Sequence, residues 1–203
     1  MTQSTLLRTT GRDKILDASM PLFAAAGFQG VSMRDVALAV GSTPAALYYH
    51  FPDKEQLYQA LIARVFSGRL PPLIAQMAEE GVPEQRLEGL IRGLLGIFNA
   101  VPDLLRLAQW IMLDTDPART RQLAENVFRP FLDAVTALAA ELDDTFDPCR
   151  LGVSVIALVM FPAQSAGVMS HLPGFQHLES DTDAQARHIV QLLHGGIAAR
   201  SEA

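Results

Sequence analysis

An all-α chain is predicted by three observations. Apolar residues recur at steps of three and four through most of the sequence, Ser, Thr or Asp stands directly before several of those runs, and no stretch alternates long enough to form a strand. Residues three or four apart share one face of a helix, so each run can bury a stripe against its neighbours.

Taken in order, residues 1–9 are polar, and Arg8 is placed either in a plain tail or in an N-terminal arm that reaches a phosphate or the minor groove. A first helix is expected from about Arg12 to Ala26, with Ile15, Ala18, Leu22 and Phe23 on one face and Gly27 closing it; Pro21 inside it removes one backbone bond and bends the helix. Ser32 followed by Asp35 is a capping box that starts a second helix carrying Met33, Val36, Ala37 and Val40, and Gly41 ends it. Thr43 caps a third helix with Pro44 at its first position, where the missing N–H costs nothing. Leu47 and Phe51, four apart, form its buried face. That leaves Thr43, Ala45, Ala46, Tyr48, Tyr49 and His50 facing outward or sideways. Asp53 and Gln56 open a fourth helix with Leu57, Ala60, Leu61 and Val65, and Lys54 stands at its start, where a phosphate would meet a cation and free amides together.

Gly68 and Pro71-Pro72 interrupt the periodicity, which divides the chain into residues 1–67 and 68–203. Helices are then expected at about 71–80, 83–100, 102–115, 117–142, 148–171 and 183–199, two of them opening as Asp116-Pro117 and Asp147-Pro148. Within 117–142, Ala124, Phe128, Phe131, Val135, Leu138 and Leu142 form a packing seam kinked at Pro130. Leu151–Leu172 carries no formal charge and is long enough to span a bilayer. Pro162 and Gln164, three serines, and the lack of a basic flank argue instead for a buried helix. Its natural partner is the closing helix, with Ala186, Ile189, Val190, Leu193 and Ile197 on one face; two copies of the pair make a four-helix bundle. The expectation is a homodimer through 148–171 and 183–199, with no membrane.

Composition narrows the function. A single cysteine, Cys149, excludes an internal disulfide and fits a reducing cytoplasm, as does the absence of a basic-then-apolar leader at Met1–Thr10. The net charge of −6 speaks against a nucleic-acid partner until its distribution is considered. Residues 1–64 hold six basic against five acidic residues, whereas 65–203 hold ten arginines against seventeen acids, so the acid is confined to the second part. No Gly-rich phosphate loop, His-Glu-x-x-His, Gly-x-Ser-x-Gly or acid/base carboxylate pair is present, so no catalytic residue and no cofactor are expected. His171, His177, His188 and His194 lack the spacing that puts two ligands on one helix face, and no metal site is expected.

Residues 32–51 therefore read as a helix-turn-helix, whose second helix lies in the major groove. Thr43, Pro44, Ala45 and Tyr49 are placed for bases and Tyr48, His50 and Lys54 for phosphates, with Ser32 and Arg34 on the preceding helix completing the set. Phe23-Ala24-Ala25-Ala26-Gly27-Phe28, Ser32-Met33-Arg34-Asp35-Val36-Ala37 and Leu47-Tyr48-Tyr49-His50-Phe51-Pro52-Asp53-Lys54 resemble, in order and spacing, the DNA-binding domain of the TetR family of transcriptional regulators, over residues 12–65. The resemblance implies a dimeric all-helical repressor whose first helices bind a double-stranded operator and whose later helices bind a small effector. The chain departs from the family pattern at Ser42-Thr43-Pro44, where a lysine often stands, and an altered sequence preference is expected.

For the effector, Phe98, Gln109, Trp110, Met112, Phe128, Phe131, Met160 and Gln164 sit on the middle helices, and a pocket between helices lined by aromatics and Met suits an apolar or aromatic ligand. Trp110 and Gln109 supply the polar handles that orient such a ligand. Arg106 and Asp114 stand on nearby turns, either to meet a charged group or to face water. Arg119–Leu142, with Arg129-Pro130-Phe131, also resembles the C-terminal domain of a TetR subgroup that senses antibiotic-like or aromatic compounds. The reading is a cytoplasmic repressor released from a palindromic operator when ligand tilts the fourth helix; the alternative is a helical ligand-binding or enzymatic protein that keeps the fold without operator specificity.

Overall fold

The computed structural model describes residues 11–142, 147–175 and 181–201, with side chains through Leu193. Arg8, His177 and the side chains of His194 and Ile197 lie outside the described residues. Among the described residues every regular element is helical: α1 Gly11–Ala26, α2 Met33–Val40, α3 Pro44–His50, α4 Lys54–Ser67, α5 Leu70–Met77, α6 Pro83–Ala100, α7 Pro102–Met112, α8 Pro117–Leu123, α9 Arg129–Leu142, α10 Pro148–Met169 and α11 Thr182–Ser201.

Local chemistry sets the first four. At the α2 cap, the Asp35 amide donates to Ser32 Oγ at 3.2 Å while the Ser32 amide donates back to the Asp35 carboxylate at 2.8 Å. Gly41 then takes the left-handed conformation (φ 69°, ψ 37°) that turns the chain into α3. Thr43 caps α3 through a bond from the Ala46 amide, with Pro44 at the first position. Beneath, Leu47, Phe51, Val36 and Phe23 are fully buried, and the Tyr58 ring meets Phe23 and Phe28 edge-on at 5.0 and 5.2 Å. Arg64 of α4 pairs with Asp13 and, at 2.9 Å, with Asp17 of α1, fastening α4 along the first helix.

Beyond α4 the expected elements recur with shifted ends. The break falls at Gly68–Arg69, and Pro71-Pro72 sit in the first turn of α5, where proline is tolerated. The helix expected over 102–115 stops at Met112, because Asp114 and Asp116 divert the backbone into the cap of α8. The 117–142 helix is continuous but carries a π-helical turn at Ala124–Phe128, closed by the Arg129 amide donating to the Ala124 carbonyl. Proline at 130 has no N–H, so the helix relieves its ring by widening the preceding turn where a simple kink was expected. Of that seam, Phe131, Val135 and Leu138 are buried, whereas Ala124 is exposed.

α10 packs against α6, α7, α9 and α11. It is long and apolar enough to cross a membrane by length and composition, and Leu151, Val155 and Val159 bury one side of it within the protein. Its other side is open: Val153 is 63% exposed, Phe161 62% and Val168 68%.

Candidate nucleic-acid interface and effector cavity

On α3, only Leu47 is buried; Pro44, Ala45, Ala46, Tyr48, Tyr49 and His50 are exposed, Tyr49 at 87%. Their surroundings differ. The Tyr48 ring borders a shallow groove with Gln29, Gly30, Arg34 and Lys54, while the His50 ring meets Tyr49 edge-on and lies against Gly11 at the start of α1. Pro44, Ala45, Ala46 and Tyr49 are thus the side chains left to enter a groove, and Arg34 is exposed on α2 beside Tyr48.

Two expected DNA contacts, Ser32 and Lys54, have other work. The Ser32 hydroxyl donates to the Asp35 carboxylate at 2.6 Å and accepts from the Asp35 amide, leaving no hydrogen for a phosphate oxygen. Those bonds hold the Asp35 carboxyl below its ordinary range. Lys54 Nζ donates inward to the carbonyls of Phe28 (2.9 Å) and Val31 (3.0 Å) and lies 4.2 Å from the Phe28 ring centroid. It clips the α1–α2 loop to the start of α4, with one N–H remaining. Desolvation first, and the nearby Arg119 cation second, lower its affinity for a proton.

A cavity of about 280 Å³ lies where α4–α10 converge. Phe98, Met112, Phe128, Phe131 and Met160, five of the residues expected at an effector site, line it. Gln109, Trp110 and Gln164 do not. Trp110 points the other way: its ring packs on Gly27, where an added Cβ would come within 2.7 Å, and its Nε1 donates to the Ala24 carbonyl at 3.1 Å. Gly27 is therefore required twice, for its positive φ of 65° and for the indole. Sequence reasoning missed Phe66 and Leu70, which bring the end of α4 and the start of α5 into the cavity wall. Phe66 meets Phe128 of the π turn edge-on at 5.0 Å. The one hydroxyl in the lining, on Thr120, is spent on the Asp116 carbonyl at 2.9 Å, so the cavity offers a ligand almost no polar partner.

The turn of α8 beside Thr120 carries Arg119, 5% exposed and also missed. Its guanidinium donates to Asp114 (2.8 and 3.0 Å), to Asp116 (3.2 Å) and to Glu55 of α4 (3.0 Å), and stacks 3.6 Å from the Phe28 ring centroid. Burial alone would lower its pKa; the bond and charge of Glu55, with Asp114 and Asp116, turn the shift upward. Asp114, expected to face water or ligand, is instead an internal partner. Thr120 and Leu123 of the cavity wall share α8 with Arg119, so the wall and this ion cluster cannot move independently.

The comparisons with known proteins agree with this architecture. Residues 15–61 match the bacterial regulatory proteins of the tetR family. The biofilm operon icaADBC HTH-type negative transcriptional regulator IcaR of Staphylococcus epidermidis is 34% identical over 143 residues, covering 70% of this chain and 72% of that protein. The chain belongs to the TetR family. It is a DNA-binding transcriptional regulator and not an enzyme. The fold extends across the later helices: FadR from Bacillus subtilis, solved in complex with stearoyl-CoA, superposes with a TM-score of 0.74 at 14% identity, covering 91% of this chain and 98% of that one. AibR, solved with isovaleryl coenzyme A and operator DNA, superposes at 0.71 with 18% identity, covering 89% and 96%. Among the described residues no group of His, Cys, Asp or Glu is placed to hold a metal ion.

Proposed function

We propose that this TetR-family regulator is a homodimeric repressor, working in the cytoplasm, that leaves a palindromic operator when a small apolar molecule fills the cavity. Residues 1–67 bind DNA, with Thr43, Pro44, Ala45 and Tyr49 toward bases and Arg34, Tyr48 and the free N–H of Lys54 toward phosphates. Residues 68–203 bind effector and dimerise. The dimer reading is supported by the open apolar side of α10, which α11 extends through Leu192 at 51% exposure. A second copy covers that surface and gives the two recognition helices a common two-fold axis.

The observation that carries the reading is the cavity wall itself. Phe66 belongs to the helix whose other end, Lys54 and Glu55, holds the α1–α2 loop and Arg119. A ligand that separates Phe66 from Phe128 rotates α4 and disturbs that end, so operator and effector weaken each other reciprocally. The apolar lining favours a hydrocarbon body. Since FadR and AibR were solved with acyl-coenzyme A ligands, acyl chains are the first class to try, with the coenzyme portion outside the cavity. The test is selection of bound duplexes from a random pool, followed by titration of the selected site against acyl-coenzyme A thioesters of graded length and against planar aromatics. A symmetric site released by one class is expected. Operator affinity unchanged by any ligand that demonstrably fills the cavity would overturn the coupling.

A further inference from the structure

We infer that the recognition helix reads its operator through the C5-methyl groups of thymines and not through hydrogen bonds to purines. The inference rests on the DNA-binding reading above and names what that surface selects.

The major-groove code is normally read by forked donors and acceptors: Arg or Lys on guanine, Asn or Gln on adenine, Asp or Glu on cytosine. α3, Pro-Ala-Ala-Leu-Tyr-Tyr-His, contains none of these residue types. Its one basic group, His50, is turned back against Gly11 and Tyr49. The Tyr48 phenol ring lies along the groove toward α2 and Lys54, a place for a phosphate. The outward surface that remains is the Pro44 ring, the Ala45 and Ala46 methyls and the Tyr49 ring. Thr43 adds a γ-methyl at the entry, and its oxygen already serves the Ala46 amide. In the major groove the one apolar feature that distinguishes a base is the methyl of thymine. A surface of this composition separates A·T from G·C by packing on that methyl, while the Tyr49 phenol and the Ser42 and Thr43 hydroxyls add only single, unforked bonds. Among the described residues two arginines stand near α3. Arg34 is in the first turn of α2, which crosses the backbone in a helix-turn-helix and meets phosphates, and the Arg12 guanidinium of α1 lies 4.9 Å from the Phe51 ring centroid at the end of α3.

The experiment alters the DNA and leaves the protein untouched. From the selected operator, each thymine is replaced singly by deoxyuridine, which removes the methyl and keeps every hydrogen bond; each guanine is replaced in parallel by 7-deazaguanine. Affinity is expected to fall about fourfold for each contacted methyl, clustered symmetrically in the two half-sites, and to be insensitive to 7-deazaguanine there. In Tyr49→Ala protein the loss at one of those thymines should disappear, while Tyr49→Phe retains it. A selected site that tolerates deoxyuridine throughout, or whose half-sites depend on guanine N7, overturns this inference and leaves the regulator reading intact. Failure to enrich any sequence overturns both.

Discussion

Arg119→Met is the substitution that best separates what holds the molecule together from what, on the proposed function, couples effector to operator. The guanidinium is 5% exposed and Asp114 beside it is 9% exposed, whereas Glu55 and Asp116 reach solvent at 36% and 45%. Losing the cation strands Asp114, which keeps one bond from the Asp116 amide at 2.9 Å, while the other two carboxylates rehydrate. Removing one partner of a buried pair costs about 3–5 kcal/mol, and the solvated partners put this case near the lower end. For a chain of this length, that lowers the melting temperature by roughly 10 °C. Replacing both partners, as Arg119→Met with Asp114→Asn, removes the stranded charge and should recover most of the lost stability. It should not recover coupling: the ratio of operator affinities without and with effector, ordinarily about 5- to 150-fold in such systems, should fall toward one. Urea unfolding of the three proteins gives the first quantity and operator titration at zero and saturating effector gives the second. A double variant that is stable and still fully released by effector would refute the claim that Arg119 joins cavity to DNA-binding helices.

Three further outcomes follow from the geometry. Ala124→Trp, at an exposed residue of the cavity wall, should block effector uptake and leave operator affinity within about twofold, giving a protein that stays on DNA in a release assay. Gly27→Ala must adopt φ 65° and displace the Trp110 ring, and should lose roughly 2 kcal/mol or more in urea unfolding; adding Trp110→Ala relieves the clash but not the backbone strain. The buried Tyr58 phenol has its pKa raised to about 12, chiefly by desolvation and then by the charge of Asp114. Because its unfolded value is lower, the folded state retains the proton longer; this contribution is complete below about pH 10 and is lost as pH rises toward 12, so Tyr58→Phe should flatten the alkaline stability profile in that window.

The helix-turn-helix was legible because its signals are local. Ser32 with Asp35, Gly41, and Thr43 with Pro44 act within four residues of themselves, and each does in the structure what its spacing predicts. The residues whose surroundings the sequence did not show are those whose partners lie far along the chain. Lys54 reaches back to Phe28 and Val31, Trp110 to Ala24, and Arg119 to Glu55; in sequence each is a polar group at a turn, open to ligand, phosphate or water alike. The five cavity residues were legible for a different reason, since aromatic and Met side chains on the middle helices must face an interior somewhere. Phe66 was not, because it stands next to Val65 at the end of α4, and nothing in the local spacing shows that the chain breaks at Gly68–Arg69 with Phe66 left in a cavity wall.

That contrast constrains how the switch can work. In a lining that offers almost no polar partner, the hydrocarbon body of a ligand has no ion to pull on, so on the proposed function its effect there is one of volume. Close-packed interiors answer added volume by moving between discrete packings and not by yielding smoothly. The place with a second packing at hand is the π turn at Ala124–Phe128, which already holds one residue more than an α-helical turn requires and presents Phe128 to Phe66. Shifting that extra residue along the helix would rotate α8, and with it Arg119, whose geometry-dependent bonds to Glu55 and Asp114 tolerate little rotation. On the proposed function, an apolar signal would thereby be converted at Arg119 into a polar one, and the same ion cluster that resists unfolding would set the threshold the effector must overcome.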